Sequence, residues 1–156
     1  SMPDFKVTLV GDRALQAKLR DPQFVRGPVR RFLTKSALEL KAQVKAKTPV
    51  DIGLLRASIT HKVQPFRAIV GTNVQYAKDV EFGTLPHWPR EGTLQPWARR
   101  HGFPSGPAGD FMVREIISRK GTRARRMFQK GTTKATPKIN RWWLDVGRDI
   151  ETRWKR

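Results

Sequence analysis

Pro28-Val-Arg-Arg-Phe-Leu-Thr-Lys-Ser-Ala-Leu-Glu-Leu-Lys-Ala-Gln-Val-Lys-Ala-Lys47 is the stretch that decides the fold. Val29, Phe32, Leu33, Ala37, Leu40 and Val44 recur at three- and four-residue steps, so a helix over 28–47 gathers them into one apolar stripe. Arg30, Arg31, Lys35, Lys41 and Lys45 take the opposite face. Pro28 suits a first helical turn and Pro49 forces the stop. A helix amphipathic in this way is built to cover a sheet.

The strands of that sheet lie on both sides of it in sequence. Phe5-Lys-Val-Thr-Leu-Val10 alternates apolar and polar residues before a Gly11-Asp12 turn. Residues 59–63 and 67–72 predict two more strands, joined near Gln64-Pro65. A short helix is expected at 14–19, while 76–82 reads equally as strand or helical turn, ended by Gly83. Further on, Asp110 opens a helix with Phe111, Met112, Ile116 and Ile117 as its stripe and Gly121 as its cap. Thr136-Pro137 opens a last helix, with Ile139, Trp142, Trp143, Val146, Ile150 and Trp154 on its apolar face. The expected class is α+β: a small antiparallel sheet packed against two or three amphipathic helices. Residues 3–156 are expected to form one domain. The five prolines between Thr84 and Gly109 predict a long mobile loop over 84–109, with room for one small helical turn at 95–101.

The charge is extreme: 32 Lys and Arg stand against 13 Asp and Glu, a formal net charge of +19. Such a surface repels itself and works best beside an anionic partner, whether nucleic acid, an acidic protein or a membrane surface. The hydrophobic share of 38% is low for a globular chain, but the apolar faces suffice for a modest core. Without cysteine the chain has no disulfide, thiol or Cys-zinc chemistry. No apolar run approaches the roughly 20 residues of a membrane span, and no secretion signal is legible, so a cytoplasmic site of synthesis and no membrane partner are expected.

Catalytic patterns are lacking. His61, His87 and His101 show no metal-ligand spacing, and phosphate-loop and dinucleotide-binding glycine patterns are missing. Ser105, in Gly102-Phe-Pro-Ser-Gly-Pro107, lacks the spacing of a nucleophile turn. Asp79 and Glu81 would share a face if their segment were a strand, which is the one carboxylate pair to check for a metal. The expectation is no enzyme, no catalytic or metal residue and no cofactor. The basic run, with Arg114, Arg119, Lys120, Arg123, Arg125, Arg126, Lys130 and Lys134, is the candidate contact surface. Arg side chains beside turn amides cradle anions, and Arg also pairs with acids across subunit interfaces. With no helix-turn-helix or RNA-binding signature, any nucleic-acid contact would be with backbone and blind to sequence.

Thr48-Pro-Val-Asp-Ile-Gly-Leu-Leu-Arg-Ala-Ser-Ile59, followed by Val70-Gly-Thr-Asn-Val-Gln-Tyr-Ala-Lys-Asp-Val-Glu-Phe-Gly-Thr84, resembles the small neck and tail-completion proteins of lambda-like long-tailed bacteriophages. Asp51, Gly53, Leu55, Tyr76, Glu81 and Gly83 carry the pattern, with Asp51 and Gly53 making a turn and Tyr76 and Phe82 expected to pack on the sheet. Ile52 stands where the family has Thr or Ser, and Ala124-Arg-Arg-Met-Phe128 lacks the proline of the family's later Ala-Arg-Pro-Phe segment. The resemblance implies a virion morphogenesis protein, made in the host bacterium, that forms a six- or twelve-membered ring at the head–tail joint or tail end. Its implied partners are itself, connector or head-closure proteins, and tail terminator or tube proteins. The expected patches are the loop over 84–109 and the basic run near Arg123 to Arg126. The rival reading, from charge alone, is a sequence-independent nucleic-acid-binding protein.

Overall fold

A computed structural model describes residues 5–10 and 22–154. Its elements are β1 (Phe5–Val10), α1 (Pro22–Lys47), α2 (Leu54–Ser58), β2 (Thr60–Gln64), β3 (Arg67–Thr72), α3 (Ala77–Phe82), α4 (Gln95–Arg100), α5 (Pro107–Lys120) and α6 (Met127–Trp154). The chain is α+β, as expected. The short helix expected at 14–19 lies outside the described residues. The chain divides into two compact units, one of residues 1–75 with 127–156 and the other of residues 76–126.

In the first unit the sheet is antiparallel in the order β1-β3-β2, so β3 is the central strand. Val70 sits opposite Val7 on one neighbour and His61 on the other. β3 has Ala68 and Val70 fully buried with Ile69 only partly so, the alternation of a strand with one covered face. The cover is α1, which packs on β2 and β3. Its buried aliphatic residues are Val25, Val29, Leu33, Ala37, Leu40 and Val44, the stripe read from sequence extended by one turn but with Phe32 only half-buried; Ser36 is buried among them. Each large aliphatic side chain so buried contributes roughly 1.5–3 kcal/mol.

α1 begins at Pro22, so Pro28 lies inside the helix rather than at its start. Pro in a helix sacrifices one main-chain bond. Val25 and Val29 lie on one buried face across it, and that packing carries the helix through. α6 likewise begins at Met127 and runs past Pro137, not from it. Met127, Phe128, Ala135 and Ile139 are buried along its first turns.

α1 and α6 lie antiparallel. Val44 meets Gly131, Lys138 bonds Glu39 at 2.8 Å, Phe32 packs on Trp143 with ring centroids 5.1 Å apart, and Arg31 approaches Asp149 at 3.9 Å. At Gly131 a Cβ would stand 2.7–2.8 Å from Val44 atoms, backbone N and Cα among them. Only glycine permits that approach.

The second unit holds α3, α4 and α5. Within the segment expected as a loop over 84–109, α4 takes the place of the helical turn expected at 95–101, and the first residues of α5 also fall there. α5 starts at Pro107, three residues before the expected Asp110, and ends at Gly121 as expected. Its buried residues are Gly109, Asp110 and Val113, whereas Phe111, Met112 and Ile116 are exposed. The expected stripe is therefore the outer face. The polar Asp110 occupies the inner one because two main-chain amides need its carboxylate.

Candidate interaction surface

The motif after α1 is a set of local fasteners in the first unit. Thr48 is buried and its hydroxyl donates to the Val44 carbonyl at 2.7 Å, closing the last turn of α1. The Arg56 guanidinium donates to the Thr48 carbonyl at 3.0 Å, placing a cation where the helix dipole is negative. Gly53 adopts φ 82° and starts α2, which buries Leu55, while Asp51 is exposed. Ser58 and Thr72 pair their hydroxyls at 2.6 Å, and Thr72 also accepts from the Val74 amide at 3.1 Å. Thr48, Arg56, Ser58 and Thr72 stand in the quoted motif, but nothing in their spacing announced these bonds.

Tyr76, Glu81 and Gly83 belong to the second unit. Residues 76–82 form a helix, so Asp79 and Glu81 point to different sides of it and cannot share a metal as a strand would let them. Glu81 is buried and Asp79 exposed. Tyr76 and Phe82, expected to be packed, are both exposed, Phe82 at 60%. The helix leaves their rings outside while Ala77 and Glu81 turn inward.

The segments 80–84 and 122–126 run side by side. The Arg125 amide donates to the Val80 carbonyl at 2.8 Å, and the Arg126 amide to the Glu81 carbonyl at 3.0 Å. Thr84 and Thr122 exchange main-chain bonds, both 3.1 Å. The main chain of the basic run is thus pinned, with Arg126 at φ 53°, while Arg123, Arg125 and Arg126 hold their side chains in solvent. Among the described residues none of these three forms an ion pair. Lys120 is exposed, and Arg119 is exposed with its guanidinium on Glu115. Lys130 and Lys134 are exposed on α6, in the other unit.

Arg114 does something else. Its Nε donates to the Pro89 carbonyl at 2.9 Å, its guanidinium lies 3.6 Å from the Asp110 carboxylate, and it sits 5.6 Å from the Trp88 ring. The Asp110 oxygens accept from the Gly92 and Leu94 amides, each at 2.9 Å. The Gly92 amide first, with the Leu94 amide and Arg114 adding to it, holds the Asp110 carboxyl below the ordinary carboxylate range against the opposing effect of burial. Residues 89–94 are therefore tied to α5 through the Asp110 carboxylate and the Arg114 guanidinium. Arg114 is committed to that tie.

Outside this centre the second unit exposes large apolar side chains: Phe82, Leu85 at 85%, Trp88, Phe111, Met112 and Ile116. Trp88 and Phe111 are in ring contact, 6.1 Å between centroids. Exposed aromatics beside free arginines have the composition of a protein–protein contact surface.

The histidines fasten chain. His87 Nδ1 is 2.9 Å from the Leu85 carbonyl, and His101 Nδ1 is 2.9 Å from that of Trp97, on whose ring it stacks at 3.9 Å. His61 lies in β2, and burial, with the nearby Lys41 charge, lowers its pKa. Ser105 is exposed in a bend. Among the described residues no three His, Asp or Glu side chains gather as a metal site, and no helix is long and apolar enough to cross a membrane.

Residues 15–83 match a family model, HK97-gp10-like, described as "Bacteriophage HK97-gp10, putative tail-component". That stretch is similar to the HK97-gp10-like family. It agrees with the phage neck and tail-completion resemblance read from the two motifs. The matched stretch takes in α1, α2, β2, β3 and α3, and so every motif residue from Asp51 to Gly83. α4, α5 and α6 lie beyond it. No curated protein and no solved structure matches the chain.

Proposed function

We propose that this chain is a non-enzymatic structural protein of a long-tailed phage virion, which assembles as a closed ring at the head–tail joint or tail end. The observation that carries the reading is the match of residues 15–83 to a phage tail-component family. Two features support assembly through this chain's own surfaces. Leu85, Trp88 and Phe111 present apolar area in solvent, and Arg123, Arg125 and Arg126 present cations on a fixed backbone. A ring joins unlike patches head to tail, and these are two unlike patches. Its partners are further copies of itself, connector or head-closure proteins on one side and tail terminator or tube proteins on the other.

Native mass spectrometry with negative-stain imaging tests this, on the concentrated protein and on mixtures with connector or tube proteins. Closed rings are expected. Arg123→Glu, Arg125→Glu and Arg126→Glu together should abolish them, as should Leu85→Asp with Trp88→Ala, while circular dichroism stays unchanged. A chain that stays monomeric under every mixture, or whose variants assemble normally, overturns the reading.

A further inference from the structure

Between Glu115 and Asp145 the chain has no acidic residue at all, yet nine cations: Arg119, Lys120, Arg123, Arg125, Arg126, Lys130, Lys134, Lys138 and Arg141. The last four lie on α6. At 100° per residue, Lys130, Lys134, Lys138 and Arg141 fall within an arc of about 80° and climb the helix in steps of roughly 5–6 Å. All four are exposed. Lys138 bonds Glu39, and among the described residues Lys130, Lys134 and Arg141 form no ion pair. The row ends at Asp145, which lies 3.5 Å from Arg148.

Helix stability does not account for the row. The first turn of α6 carries no acidic residue, and a cation there opposes the helix dipole. Core packing does not account for it either, because Met127, Phe128, Ala135 and Ile139 form the buried face. A helical row of exposed cations with no acidic residue between them in sequence is complementary to a linear polyanion with closely spaced charges. A nucleic-acid duplex is that, at one phosphate per 3.4 Å along each strand. Two tryptophans of α6 are already engaged: Trp142 has the Lys35 ammonium 4.0 Å and the Lys138 ammonium 5.3 Å from its ring, and Trp143 packs on Phe32. Among the described residues the row therefore has no free aromatic on which a base could stack.

We infer that the exposed face of α6 from Lys130 to Arg141 is a binding site for the phosphate backbone of duplex DNA, independent of base sequence. This site lies outside the segment matched to the tail-component family and stands whether or not the chain forms a ring.

The test measures fluorescence anisotropy of the full chain on a random-sequence 30-base-pair duplex across a salt series. Each phosphate contact contributes about −0.9 to the slope of log affinity against log salt. Lys130→Gln, Lys134→Gln and Arg141→Gln together should make the slope shallower by about 2.7, and Lys134→Gln alone by about 0.9. A control set on α1, Arg26→Gln, Arg30→Gln and Lys47→Gln, removes equal charge and should change the slope by less than about 0.9. Lys138 is left in place because it holds Glu39. Equal losses from both sets, or an unchanged slope in the single Lys134 variant, overturn the site. Polyglutamate that competes as well as DNA at equal charge overturns the choice of ligand.

Discussion

Thr84 and Thr122 face each other as a single isolated antiparallel pair, exchanging two main-chain hydrogen bonds of 3.1 Å and bringing their hydroxyls to 3.0 Å. The residues before them, Gly83 and Gly121, make this approach available. Both have positive φ, and a Cβ on either would fall 2.0–2.4 Å from the carbonyl oxygen of the opposite threonine. Gly121→Ala should therefore part the two segments and destabilise the protein by about 1–3 kcal/mol, through strain at φ 67° and the clash together. Hydrogen exchange at the Thr84 and Thr122 amides checks it: both should lose protection.

Gly131→Ala should also destabilise, against the usual rule. In an exposed helix Ala is favoured over Gly by about 1 kcal/mol. At 131 the new methyl would meet the backbone of Val44, which can yield only if the two helices separate. A net loss of about 1–3 kcal/mol is expected on chemical denaturation. A gain in stability would contradict the α1–α6 approach described above.

Asp110→Asn should lower the melting temperature at pH 7, because the Gly92 and Leu94 amides lose a charged acceptor. The lowered pKa fixes the sign of the pH effect. Asp110 stabilises the fold fully above the ordinary aspartate pKa of about 3.9, and that contribution is lost as pH falls through the lowered native value. The gap between parent and variant should close in acid below about pH 4. A gap constant from pH 7 to pH 2 would count against the network.

Leu40→Ala and Lys138→Ala separate the core of the first unit from its edge. Leu40 is fully buried, so its truncation should cost about 2–5 kcal/mol. The Lys138–Glu39 bond is half in solvent on the lysine side and should be worth no more than about 1 kcal/mol. The Lys138 bond, followed by that of Gln43, also lowers the Glu39 pKa, so the lysine variant should raise it. Denaturation midpoints and a carboxylate titration read both.

What the residues disclosed in advance depended on whether burial followed a regular period. α1 was legible because Val29, Leu33, Ala37, Leu40 and Val44 repeat without interruption, and β2 and β3 because each is short and bounded by turn residues. α6 was half-hidden because Thr136-Pro137 read as the opening of a helix, when the helix starts at Met127 and Pro137 lies inside it. The outer and inner faces of α5 were exchanged because Asp110 read as the residue that opens the helix, not as one inside it that turns inward. Its two amide partners come from residues 92 and 94, a distant pairing that helical period cannot reveal. The same blindness placed Arg114 on the candidate surface, although Pro89 and Asp110 hold it. The acid-free interval before Asp145, by contrast, was open to inspection and needed only the helix to align it.

The first unit is discontinuous in the chain: its sheet and α1 precede residues 76–126, and α6 follows them. During translation α1 thus emerges well before the helix that meets its Phe32, Lys35 and Val44. At about 5–20 residues per second the ribosome needs several seconds to bridge that gap. For that interval the nascent protein displays an unpaired greasy seam, an opening for chaperones or for a misplaced α6 from a neighbouring polysome. The second unit, contiguous in the chain, is free to fold meanwhile, leaving closure of the first as the late event of biogenesis.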